Sequence, residues 1–200
     1  MTAPLTGYTS ALPSDILLDS GVLYVGLTPS TVFGAFAGGL KFDPGVTYRN
    51  ADFDGKRSPV KGLDRVTMRM PKISGTCIQL STANVAQIEP GAATVVSQAW
   101  TASTSYAPKA AGQLLASGDY LSNVRLVFQR GGATASAGSY VQVRFPDALC
   151  TKYDITGQDG AEIAIAIEIE ARLDISATGF TTAVGTAPFR IEYLTTVDPD

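Results

Sequence analysis

The sequence predicts a mainly β protein: two packed sheets, as a sandwich or barrel, with one flanking α-helix. Three observations lead there. In residues 161–174 Ile163, Ile165, Ile167, Ile169 and Ala171 fall on one parity, and Glu162, Ala164, Ala166, Glu168, Glu170 and Arg172 on the other. A helix would scatter these isoleucines, because residues two apart differ by about 200° around its axis, whereas a strand gathers them on one face. The same alternation recurs in Leu121–Arg130 and Tyr140–Phe145. Finally, 20 Gly and 11 Pro, with abundant Thr, Ser and Val, suit many short strands joined by turns.

The elements follow in order. Residues 1–20 carry Pro4, Gly7 and Pro13 with little periodicity and are expected to form an extended arm, leaving 21–200 as a single domain. Gly21–Leu27 is a first strand and Gly34–Gly39 a small flexible stretch. Lys41–Arg49 is a second strand, broken near its start by Pro44 and Gly45. Asn50–Asp64 is a polar loop, long enough to suggest a function of its own. Arg65–Met70 and Ile73–Leu80 are strands separated by Pro71. Ser81–Glu89 is the helix, with Ser81 as cap, Val85 and Ile88 on one face, and Pro90-Gly91 as stop. Ala92–Ala99 is strand, and Ser103–Gly118 a loop or flap. Leu121–Arg130 and Tyr140–Phe145 form a hairpin through the Gly- and Ser-rich tip 131–139. Leu149–Thr156 alternates again, and Gly157-Gln158-Asp159-Gly160 turns into the isoleucine strand. That strand would span roughly 40 Å at the usual rise, with all four isoleucines buried. Thr178–Ala187 is a loop and Ala187–Thr195 the last strand.

Hydrophobic residues make up 45% of the chain and charged ones 16%, enough for a sizeable core. The net charge of −3 gives no bulk attraction for nucleic acid. Its distribution is uneven: residues 41–72 hold eight Lys/Arg against four Asp, a net of +4, and residues 147–200 hold ten Asp/Glu against three Lys/Arg, a net of −7. These are either two solvated faces or unlike patches that meet head to tail in neighbouring copies. Cys77 and Cys150 lack CxxC spacing, and nothing marks a secreted chain, so two reduced, partly buried thiols are expected. No signal-peptide pattern or run of ~18 apolar residues occurs, so the expectation is a soluble protein made in the cytoplasm.

The sequence has no histidine, which removes Ser-His-Asp and Cys-His catalysis and the common zinc sites. GxxxxGK[ST], GxGxxG and GxSxG are also absent. The chain is expected not to be an enzyme and to need no cofactor. Asn50-Ala51-Asp52-Phe53-Asp54-Gly55 matches the opening of a calcium loop, yet its twelfth position is Lys61, where a bidentate Glu belongs. An Asx-turn-rich loop accounts for it better than a calcium site.

Several stretches together resemble the major tail proteins, or tail tube proteins, of long-tailed bacteriophages. They are Gly21–Gly26, the polar loop 50–64, the helix 81–89 after paired strands, and above all Tyr120–Asp174, with Arg125-Leu-Val-Phe-Gln-Arg130, Arg144-Phe-Pro-Asp-Ala-Leu-Cys-Thr-Lys-Tyr-Asp154 and Glu170-Ala-Arg-Leu-Asp174. The resemblance covers about two-thirds of the chain and rests on pattern, with no invariant chemical motif; segment 103–118 is longer than the minimal fold needs. It implies a tail-tube-like sandwich with a flanking helix, close to the tube protein of type VI secretion. It also implies homo-hexameric rings, stacked into a virion tube that conducts DNA during ejection without sequence-specific binding. The implied partners are the chain itself and the tail tip, tape measure and tail terminator proteins, with assembly in the host cytoplasm and no membrane. In that setting Asp52, Asp54, Lys56, Arg57 and Lys61 are expected at contacts between rings. Glu162, Glu168 and Glu170 are expected at the lumen or a subunit interface. The alternative is a β-sandwich binding module for a receptor or carbohydrate, as in a fibre or decoration domain. It would want aromatics clustered on loops, where only Trp100 and Tyr106 stand.

Overall fold

A computed structural model describes residues 17–26, 31–52, 58–79, 87–89, 93–96, 104–107, 109–130, 140–157, 159, 163–173 and 188–194. The fold is mainly β with antiparallel pairing. Its strands are β1 (Leu17–Val25), β2 (Thr31–Val32), β3 (Phe36–Asp43), β4 (Val46–Asn50), β5 (Asp64–Arg69), β6 (Lys72–Cys77), β7 (Ala93–Val96), β8 (Thr104–Ala107), β9 (Leu121–Arg130), β10 (Tyr140–Thr156), β11 (Ala164–Arg172) and β12 (Arg190–Leu194). The main sheet runs β2-β1-β9-β10-β11-β6-β3, with β12 added on β10. β4–β5 and β7–β8 are separate two-stranded sheets. β1 and β3, far apart in the strand order, touch each other, so the main sheet curls around its core.

That core joins Leu23, Phe33, Ile73, Leu126, Phe145, Ile165 and Ile169, all buried. Each such side chain contributes about 1.5–3 kcal/mol of transfer free energy relative to exposure. The period-2 reading of β11 holds for Ile165, Ile167, Ile169 and Ala171, which are buried, while Glu168 and Glu170 lie on the other face. It fails at Ile163, which precedes the strand and is 56% exposed. Parity assigns a side chain to a face, but burial requires something packed on that face, and along β11 that cover begins at Ile165.

The longest strand is β10, not β11. Tyr140–Phe145 and Leu149–Thr156, expected as two strands, are one strand of 17 residues running through Pro146. The β12 ladder on β10 ends at Arg144 and the β11 ladder begins at Asp147. Pro146 sits in the gap between them, where its missing N–H removes no ladder bond. The core parity changes at the same place. Val143 and Phe145 face the core before it, and Ala148 and Cys150 after it; on the paired β9 the core residues are Leu121, then Val124 and Leu126. In β9 the flip is made at Asn123, which has φ 51°, a left-handed conformation that Asn tolerates better than most residues. Its Nδ2 donates to the Gly26 carbonyl at 3.0 Å, and the Gly26 N–H donates to the Ser122 carbonyl at 3.1 Å.

Other boundaries also move. β1 begins at Leu17, four residues ahead of the expected strand. Lys41–Arg49 is the end of β3 and most of β4, separated at Pro44-Gly45. Gly34–Gly39 is partly strand, since β3 starts at Phe36. Within 103–118, Thr104–Ala107 forms β8, and a 3-10 turn follows at Ser117–Asp119. Of the expected helix, Gln87 and Ile88 are helical, with Ile88 buried; residues 81–86 lie outside the described residues. So do 1–16 of the arm, the tip 131–139, Trp100 and the loop 178–187.

Candidate assembly surfaces

The β4–β5 hairpin stands apart from the main sheet. It is hinged where Asp43 Oδ1 accepts from the Gly45 N–H at 2.9 Å, and where the Met70 N–H donates to the Gly45 carbonyl at 2.9 Å. Gly45 has φ +53°, and a Cβ there would run into the Met70 carbonyl, so only glycine fits. At the far end Asn50 closes the loop: its Nδ2 donates to Asp64 Oδ1 at 2.8 Å and to the Val60 carbonyl at 2.9 Å, and its Oδ1 accepts from the Val60 N–H at 3.3 Å. The side chain that would open a calcium loop is thus engaged by the protein. Among the described residues no cluster of three or more acidic, His or Cys side chains could hold a metal.

Every residue of β5 is exposed. Tyr48, opposite Val66, is 65% exposed, and Val66, Met68 and Met70 are exposed as well. Arg49 lies directly opposite Arg65, a like-charge cross-strand pair that destabilises an isolated hairpin. A two-stranded ribbon carrying uncovered Val, Met and Tyr and opposed cations is marginal by itself. Asp52 and Lys61, at the two ends of the loop, are exposed. Asp54, Lys56 and Arg57 lie outside the described residues, so the expected loop cluster is placed only at Asp52 and Lys61.

The second surface is the outward face of β11. Glu168 and Glu170 share it, as the alternation indicated, but neither stands alone. Lys72 Nζ is 3.2 Å from Glu168, and Arg172 Nη1 is 2.9 Å from Glu170. On the neighbouring strand Lys152 is 3.0 Å from Asp154. Carboxylates and cations therefore alternate across this face. Glu162 lies outside the described residues. A shallow groove of about 280 Å³ crosses it, floored by Ala166 and Gly75 and edged by Ser74, Thr76, Lys152 and Glu168. The pairing of Lys72 with Glu168 is set by the β6–β11 register over 96 residues of sequence and has no local signal. Lys152/Asp154 and Glu170/Arg172 stand two residues apart on one face, a local spacing that could have signalled both pairs.

Beside this face Tyr153 Oη donates to Glu89 at 2.6 Å, and that hydrogen bond raises the phenol's pKa. Cys77 and Cys150 are free and buried. Burial pushes the Cys150 thiol up to about 11, keeping it neutral and unreactive. The two sit on opposite sides of β11, opposite Ile165 and Ile169 respectively. That separation is more than ~10 Å by strand geometry, beyond the reach of a disulfide. Among the described residues no helix is long and apolar enough to cross a membrane. No protein-family model matches the chain, and no curated protein matches it either.

Proposed function

We propose that this chain is a structural, non-enzymatic virion subunit. In this reading it is a tail tube protein whose copies form hexameric rings that stack into a DNA-conducting tube, meeting the tail tip, tape measure and terminator proteins at the tube's ends. The observation that carries the reading is the β4–β5 hairpin: a ribbon detached from the main sheet, exposed along all of β5 and rich in uncovered apolar side chains and cations. A monomer gains little from such a ribbon, whereas stacked copies bury it. The loop between β4 and β5, with Asp52, Asp54, Lys56, Arg57 and Lys61, then lies at the contact between rings. The finer architecture, a two-sheet sandwich or barrel with a flanking helix, is supported by the curling of the sheet, by the face change at Asn123 and Pro146, and by the helical Gln87 and Ile88.

The test is direct. The purified protein, alone or with a tail initiator, is expected to sediment as hexamers or polymers and to appear as rings or tubes by negative-stain microscopy. Sedimentation as monomer or trimer only, over a wide concentration range and with tail-tip components present, would remove the reading and favour a binding module.

The Glu162, Glu168 and Glu170 face is assigned to the lumen. Internal pairing of Glu168 and Glu170 leaves it near neutral, so phosphates meet no uninterrupted cationic row and DNA slides past. Replacing all three by Lys, beside Lys72, Lys152 and Arg172, makes the face strongly basic. Tubes are expected to assemble while DNA exit slows severalfold or stalls. Normal ejection by that mutant contradicts the lumen assignment, and failure to assemble with a folded subunit moves the row to an interface.

A further inference from the structure

Strand register brings three arginines into one row. Arg125 on β9 lies opposite Arg144 on β10, and Arg144 lies opposite Arg190 on β12; Tyr24 on β1 closes the row at the other end. At the spacing of adjacent strands, ~4.8 Å, the three arginine backbones fall within about 10 Å of one another. The row runs from inside to outside. Arg125 is 3% exposed, with its guanidinium 5.7 Å from the Tyr24 ring centroid. Arg144 is half-buried, and its Nε is buried without a hydrogen-bond partner; Arg190 is exposed. The nearby carboxylate on the same face, Glu192, accepts a hydrogen bond from the buried Gln142. Among the described residues neither Arg144 nor Arg190 forms an ion pair.

Like charges directly opposite one another destabilise a sheet, and here the opposition is repeated across three strands. An oxyanion lying over Arg144 and Arg190 reverses the sign of the interaction, and the planar guanidinium fork suits a carboxylate. The row also opens onto an uncovered margin. Among the described strands β12 pairs only with β10, and its other edge is unpaired. Ile191 and Tyr193, opposite the buried Val143 and Val141 and so on the other face of β12 from Arg190, are 53% and 67% exposed.

We propose that Arg144 and Arg190 form a carboxylate-binding contact, and that its occupant is an acidic side chain of a second copy of this chain. The inference rests on the reading of the protein as a self-assembling subunit. A protein partner is favoured over nucleic acid by charge complementarity. The chain carries a net −3 with its acidic surplus in residues 147–200, so a second copy supplies the complementary charge.

The experiment compares self-association of the wild type, the Arg144→Gln/Arg190→Gln pair and Arg190→Gln alone, by sedimentation at 50 mM and 1 M salt. The single variant changes only an exposed side chain and keeps the test valid if the pair folds poorly. Either variant is expected to weaken association at least tenfold at low salt, with the difference shrinking at 1 M salt, and with the melting temperature of the monomer unchanged or raised. Titration with short duplex DNA is expected to show no binding that depends on these arginines. If the wild type associates and both variants associate equally well, this inference fails and the tail tube reading stands. If the wild type never associates, both fail. Arginine-dependent DNA binding with unchanged self-association would make phosphate the ligand and overturn the proposal.

Discussion

Phe145→Ala is expected to destabilise the protein by about 3–5 kcal/mol, the cost of removing a fully buried aromatic ring together with the cavity left behind. Phe145 is completely buried, opposite Val124, and packs at 6.1 Å from the Phe42 ring, which in turn packs on Phe189. It therefore joins β10 to β3 and to the segment leading into β12. It is also the last core residue before the face change at Pro146. For a chain of this size the loss corresponds to a fall in melting temperature of about 6–20 °C. Phe145→Leu, which keeps most of the volume, is expected to recover over half of the loss. Thermal unfolding of the three proteins checks this; an alanine variant melting within 2–3 °C of wild type would show that Phe145 is not central to the core.

What could be read from the sequence divides by range. The alternation in Ile165–Ile169 and in Val124–Phe128 is local, and a side chain's face follows from the pleat alone. Those strands were legible for that reason. The interruption at Pro146 misled because a proline normally ends a central strand, and here the strand changes partners at that residue, which only the register of β11 and β12 reveals. Ile163 shows the complementary limit: its parity is right, yet its burial depends on cover supplied by distant parts of the chain. The same reasoning applies to the surfaces. Glu168 and Glu170 were placed together by spacing, while the cation that neutralises Glu168 comes from 96 residues away. The arginine row joins residues 125, 144 and 190 and has no signature short of the register itself. The hairpin lay in between. Its loop was recognised by length and polarity and Arg65–Met70 as a strand, but nothing local says that Val66, Met68 and Met70 are uncovered.

Replacing Val66, Met68 and Met70 together by Ser is expected to abolish assembly and leave the subunit folded. The three side chains are each close to half exposed, so their removal opens little cavity, and surface substitutions of this kind usually stay within about 0.5 kcal/mol. Covering the exposed half of each in an assembled contact contributes about 1 kcal/mol, or roughly 3 kcal/mol per hairpin. That is about a 100-fold change in the association constant of one contact, and every subunit of a ring repeats it. The charges act in the same direction more weakly. An exposed ion pair contributes ~0–1 kcal/mol, so Lys61→Glu alone is expected to leave assembly intact. Reversing Arg49, Lys61 and Arg65 together is expected to weaken it measurably at low salt and hardly at all at 1 M, where screening acts within a few ångströms. The serine variant separates two uses of the hairpin. If it stays monomeric at concentrations where the wild type forms tubes, with an unchanged circular dichroism spectrum and melting temperature, the ribbon is an assembly element. If it forms tubes at the wild-type threshold, the uncovered side chains serve some other contact, and the ring-stacking role assigned to loop 50–64 falls with them.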